Sequence, residues 1–122
     1  MTSYKVVMPE HMNQYGGLFG GYLLQWVDET AWIAVSMEYP RKQFVTIAMS
    51  QVEFRRPARG GAILRFEVEK ERVGRTSVTY VTKVHCRNSH SDSDEPIFST
   101  HITFVRLNAK GEKVALDAPA DF

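Results

Sequence analysis

Residues 13–39, NQYGGLFGGYLLQWVDETAWIAVSMEY, constrain the fold more than any other part of the chain. They hold four of its eight glycines, Gly16, Gly17, Gly20 and Gly21, followed by a long apolar run. Glycine lets backbone approach backbone or ligand closely, because no Cβ intervenes. From Leu18 onward apolar residues recur at helical spacing, at Leu18, Tyr22, Leu23, Trp26, Val27, Ile33 and Ala34. Tyr39 precedes Pro40 and is pushed out of the α region, which ends the helix.

On a wheel of about 100° per residue, Gln25, Glu29 and Ser36 share one narrow polar face. Asp28 falls away from its centre, with Leu24, Ala31, Trp32, Val35 and Gln25 as helical neighbours. No Lys or Arg occurs between Lys5 and Arg41, so this carboxylate has no local ion-pair partner. An acid set against apolar walls costs stability, which argues for a purpose. Gly20 and Gly21 sit where the helix begins, with unpaired N–H groups at the positive end of its dipole. Asp28 follows roughly 10 to 12 Å further along the axis. Donors and a carboxylate so separated could flank a bound carbonyl. Periodicity leaves equally open a buried helix whose acid reaches the surface by its rotamer.

The remaining chain alternates with period two. Residues 4–8 read as a short strand closed by Pro9. His11 follows in a loop, where a lone histidine is ordinarily solvated. After the polar break Pro40-Arg41-Lys42, residues 43–54 place Phe44, Thr46, Ala48, Ser50, Val52 and Phe54 on one face. Residues 62–72 alternate more sharply, with Ala62, Leu64, Phe66 and Val68 inward. Val73-Gly74-Arg75 makes a tight turn into residues 76–86, with Val78, Tyr80, Thr82, Val84 and Cys86 on one side. Residues 87–95 form a polar loop without metal-ligand spacing. Residues 97–107 are the last long strand. The order β-α-β-β-β-β, with hairpin connections among the last four strands, predicts an α+β fold: a long antiparallel sheet wrapped around one central helix. Its exposed edges favour pairing with a second copy.

At 122 residues the chain reads as one domain, 1–122. Apolar content of 43% and charged content of 24% argue against disorder, and a net charge of +1 against a polyanion or nucleic-acid partner. The single cysteine, Cys86, excludes an intrachain disulfide and fits a reducing compartment. Gln25, Asp28 and Glu29 interrupt the apolar helix before it could span a membrane, and the N-terminus lacks a signal-peptide core. A cytoplasmic location is the expectation.

Four stretches in order carry a resemblance: 13–21 (NQYGGLFGG), Val27-Asp28-Glu29, Val45-Thr46-Ile47 with Phe54-Arg55-Arg56-Pro57, and Val73-Gly74-Arg75-Thr76-Ser77. Together they resemble the hotdog-fold acyl-CoA thioesterases, in the branch of the bacterial YciA-like enzymes and the cytosolic acyl-CoA hydrolases. The resemblance implies a homodimer, with further assembly to a tetramer or hexamer, whose active site draws on both subunits. It implies Asp28 as catalytic acid, Asn13 as the residue that positions substrate or water, and Gly20 or Gly21 as the N–H that polarises the thioester carbonyl. It implies that Thr46 lines the site and that Arg56, Gly74, Arg75, Thr76 and Ser77 approach coenzyme A. No metal and no cofactor beyond the CoA of the substrate is implied. Phe19 stands where many relatives carry histidine, and Ala62 where an acidic residue is common.

Two other readings compete. A hotdog dehydratase or hydratase would pair a histidine with the acid, and this helix has none. A non-catalytic acyl-CoA-binding module would gain nothing from a desolvated carboxylate.

Overall fold

The computed structural model describes residues 1–87 and 94–120. Its elements are β1 (Thr2–Val6), a 3-10 turn (Pro9–His11), α1 (Gly20–Glu38), β2 (Gln43–Phe54), β3 (Ile63–Val73), β4 (Ser77–Arg87) and β5 (Glu95–Leu107). The polar stretch anticipated at 87–95 falls largely on 88–93, outside the described residues. The strands form one sheet in the order β1-β3-β4-β5-β2, antiparallel at every pairing.

The α+β layering follows from the two periodicities. Leu23, Trp26, Val27, Thr30, Ala31, Ala34 and Val35 are buried on α1, a stripe repeating every three to four residues. Beneath them lie the alternate residues Leu64, Phe66 and Val68 of β3, Val78, Tyr80 and Val84 of β4, and Phe98, Ile102 and Phe104 of β5. Three helix assignments change. Ile33 is exposed, while Ser36 carries a buried hydroxyl without a partner among the described residues. Leu18 precedes the helix and bridges back to Met12.

Strand β2 corrects the expected hairpin series. It pairs with β5, at the opposite end of the sheet from β1. The chain between β2 and β3 is too long for a tight turn, and it crosses the start of α1. There the Leu18 N–H donates to the Ala58 carbonyl at 2.8 Å, and at the end of the connection the Val7 N–H donates to the Ala62 carbonyl at 2.9 Å. Register shifts at Thr46/Ala48 and Ser50/Glu53 break the alternation of β2. An extra residue turns every later side chain to the other face. Met49 therefore packs on the core, whereas Ala48 and Val52 are exposed. Gln51, within the second irregularity, has φ of 54°, rarely adopted outside glycine.

Candidate active site

The glycine loop is built by Asn13. Its Oδ1 accepts from the N–H of Tyr15 at 2.9 Å and of Gly17 at 3.1 Å, while its own N–H donates to the Gly17 carbonyl at 2.7 Å. The tight reversal needs the left-handed conformation of Gly16, at φ of 81°. Phe19 then donates to the His11 carbonyl at 2.8 Å, and α1 begins. His11 is held as well: its Nδ1 accepts from the Met8 N–H at 3.0 Å, and its ring meets the edges of Tyr22 and Trp26. It is a packing residue of the loop.

No side chain caps α1, and the N–H groups of Gly20 and Gly21 have no acceptor among the described residues. They mark the positive end of the helix dipole. A Cβ on Gly20 would lie at ordinary contact distance, 3.4 Å, from the Phe54 ring, so the end of β2 packs directly over the helix start. A cleft of about 320 Å³ opens there, walled by Leu18, Leu23, Phe54 and Ile97, with Arg55 and Arg56 at its margin.

Further along the helix, Asp28 faces β2. The Thr46 hydroxyl donates to its Oδ1 at 2.6 Å. The apolar enclosure anticipated around Asp28 is absent, because the helix lies beside an edge strand; the carboxylate is half-buried. Among the described residues no cation forms an ion pair with it. Helix rise separates Asp28 from Gly20 by about 12 Å. Within one chain the donors and the acid therefore do not converge on one atom.

The residues assigned to coenzyme A divide between two places. Arg56 borders the cleft by Gly20 and pairs with Glu95 at 2.9 Å, with both side chains exposed. Gly74, Arg75, Thr76 and Ser77 lie at the β3–β4 turn, closed by the Gly74 N–H on the Ser77 carbonyl at 2.7 Å. Gly74 and Arg75 line a groove of about 460 Å³ with Tyr39, Lys42, Leu116 and Asp117. The sequence reading missed Lys42, whose ammonium lies 5.9 Å from the centre of the Tyr39 ring. Its signal was a pair of cations directly after the helix, read only as a polar break. Among the described residues no three His, Cys, Asp or Glu side chains gather as a metal would require, and no helix is long and apolar enough to cross a membrane.

A five-stranded antiparallel sheet around one helix is the hotdog fold. It superimposes on a hexameric hotdog-fold thioesterase of Campylobacter jejuni with a TM-score of 0.84 at 29% identity, over 93% of this chain and 86% of that one. The chain belongs to the thioesterase superfamily, whose family model matches residues 15–92. An acyl-CoA hydrolase of Bacillus cereus is similar at 30% identity with a TM-score of 0.87, over 93% of this chain and 69% of that one. A Bacillus subtilis protein named as an uncharacterised acyl-CoA thioester hydrolase is 29% identical over 108 residues. That match takes in 88% of this chain and 62% of the relative, so the chain spans less than two thirds of that relative's length.

Proposed function

We propose that the chain hydrolyses acyl-CoA thioesters to a free acid and coenzyme A. The observation that carries this reading is a single helix offering unpaired N–H donors at Gly20 and Gly21 and a carboxylate at Asp28, beside an open strand edge. The names of the Bacillus relatives support the substrate class.

The reacting site is shared between two copies. Among the described residues strand β2 has an unpaired edge twelve residues long, with Ile47, Val52 and Phe54 exposed on it. Such an edge invites strand pairing. In a symmetric antiparallel pair centred near Ser50, Thr46 lies opposite the partner's Phe54. Asp28 adjoins Thr46 and Gly20 adjoins Phe54, so each Asp28 comes beside the partner's Gly20. The separation of donor and acid within one chain is thereby removed. Assembly beyond the dimer, to a tetramer or hexamer, is part of the proposal and accords with the hexameric C. jejuni relative. The location proposed is cytoplasmic.

The thioester carbonyl oxygen accepts the Gly20 N–H, or that of Gly21, and negative charge developing there is stabilised by donors already in position. Asp28 either takes a proton from the attacking water or attacks the carbonyl carbon itself, forming an anhydride that water then opens. In both routes the C–S bond breaks and CoA leaves as a thiolate, which needs no strong acid. Thr46 occupies Oδ1 of Asp28 and leaves Oδ2 for the chemistry. Asn13 holds the glycine loop through Oδ1, and its Nδ2 is the part available to substrate. Arg56 and Arg75 meet phosphates as charged donors, with Gly74, Thr76 and Ser77 shaping the turn. The reaction as written uses only groups of the chain and water, CoA being part of the substrate.

Thiol release from a panel of acyl-CoA esters tests the reading. Turnover with at least one ester is expected. Saturable binding of these esters without thiol release would identify a binding module instead.

A further inference from the structure

Arg106 has the largest side chain among the fully buried described residues and is only 1% exposed. Among those residues no carboxylate pairs with it. Its partners are backbone carbonyls of the segment after β5. Nη1 donates to Ala115 at 2.7 Å, to Ala118 at 2.6 Å and more loosely to Leu116 at 3.4 Å, and Nη2 donates to Pro119 at 2.8 Å. Nε has no acceptor. A buried guanidinium without a counter-charge is poor core material, and well-packed apolar residues often do as well or better in such places. What this one secures is the path of the chain at 115–119.

That path leads to the β3–β4 turn. The Leu116 N–H donates to the Arg75 carbonyl at 2.9 Å, and the Arg106 N–H donates to the Thr76 carbonyl at 2.9 Å. Lys42 adds a bond from Nζ to the Leu116 carbonyl at 2.6 Å. Leu116 and Asp117 thus form one wall of the groove whose other walls carry Lys42, Gly74 and Arg75. The Arg106 side chain holds the segment, and the segment holds the backbone of Arg75.

We propose that Arg106 is a positioning residue for the coenzyme A end of the site: by clamping 115–119 it fixes the turn from which Arg75 reaches the phosphates. This rests on the acyl-CoA reading above. Arg106 touches no substrate in this scheme and acts through Arg75. The physical basis is preorganisation. Arg75 is exposed on a turn, and ordering its backbone before the ligand arrives lowers the entropy lost on binding. A loosened turn keeps every charge and weakens only the nucleotide end.

The test compares KM and kcat for one acyl group carried on coenzyme A and on pantetheine, which lacks the nucleotide phosphates. The proteins are wild type, Arg75→Ala, Arg106→Gln, Arg106→Lys and the double variant Arg75→Ala/Arg106→Gln. Arg106→Gln is expected to raise the acyl-CoA KM by about five- to ten-fold, with kcat and the pantetheine-ester KM within about two-fold of wild type. Arg106→Lys recovers part of the difference. The double variant matches Arg75→Ala alone, because residues acting as one unit are not additive. An Arg106→Gln effect equal on both substrates, absent on acyl-CoA, or fully additive with Arg75→Ala overturns the proposal. Should Arg106→Gln fail to fold, Arg106→Lys carries the same comparison with a smaller split, and no split in it counts against the proposal. Wild type releasing no thiol from either ester overturns the hydrolase reading and this proposal with it.

Discussion

Thr46 and Asp28 come from segments eighteen positions apart, and a hydrogen bond of 2.6 Å joins them. Asp28 was legible as a candidate because its helix offers no cation and few polar neighbours. Its degree of exposure was not legible, since that depends on which strand lies beside it. Asn13 shows the same division. Its place ahead of the glycines was visible, but the turn that its Oδ1 closes was not, because residue type does not report side-chain direction. Gly20 makes the testable residue. Proline at the first helical position is tolerated, so Gly20→Pro removes one N–H while leaving α1 helical. Turnover should fall by on the order of 100- to 1000-fold, as for loss of an oxyanion donor, with unchanged helical circular dichroism. Unchanged turnover would exclude the Gly20 N–H as the donor.

Strand β2 is the element that sequence periodicity described least well. Alternation over residues 43–54 gave the strand, but two register shifts hide inside it. A single extra residue leaves composition and length almost unaltered, yet it reverses the faces beyond it. The three inner strands were legible because alternate residues of each are buried beneath α1, as Leu64, Phe66 and Val68 are on β3. Helix α1 is tied to those strands at its far end, where Lys70 and the Tyr80 hydroxyl both donate to Glu38. Burial pushes the Glu38 carboxyl up, but the bonds from Lys70 and Tyr80, with the Lys70 charge, outweigh it and hold it below its ordinary value. A lowered carboxylate contributes stability above its unfolded value and loses it as pH falls through the folded one. Glu38→Gln should therefore cost only a few degrees of Tm near neutrality, the pair being partly exposed. It should also flatten the decline of Tm at pH values below the ordinary 4.5. An acid-side decline as steep as in wild type would show that Glu38 does not contribute to it.

At the scale of the whole molecule, topology is what supports the proposed sharing of the site between two copies. The β2–β5 pairing leaves the longest free edge on the side where both the Gly20 donors and Asp28 lie. Sequence order could not reveal this, because β2 and β3 are neighbours in the chain but lie at different positions in the sheet. A shared site gives a sharp expectation for hybrid dimers. Asp28→Asn should lose on the order of 100-fold or more in turnover, the scale of a lost general base, and Gly20→Pro should lose as much for a different reason. A hybrid of the two variants has one site with both defects and one with neither. Differently tagged Asp28→Asn and Gly20→Pro chains, co-expressed and purified as the hybrid, should recover about half the wild-type turnover per dimer. A hybrid as inactive as its parents, or an Asp28→Asn parent that still turns over acyl-CoA normally, would contradict the shared site built on Asp28.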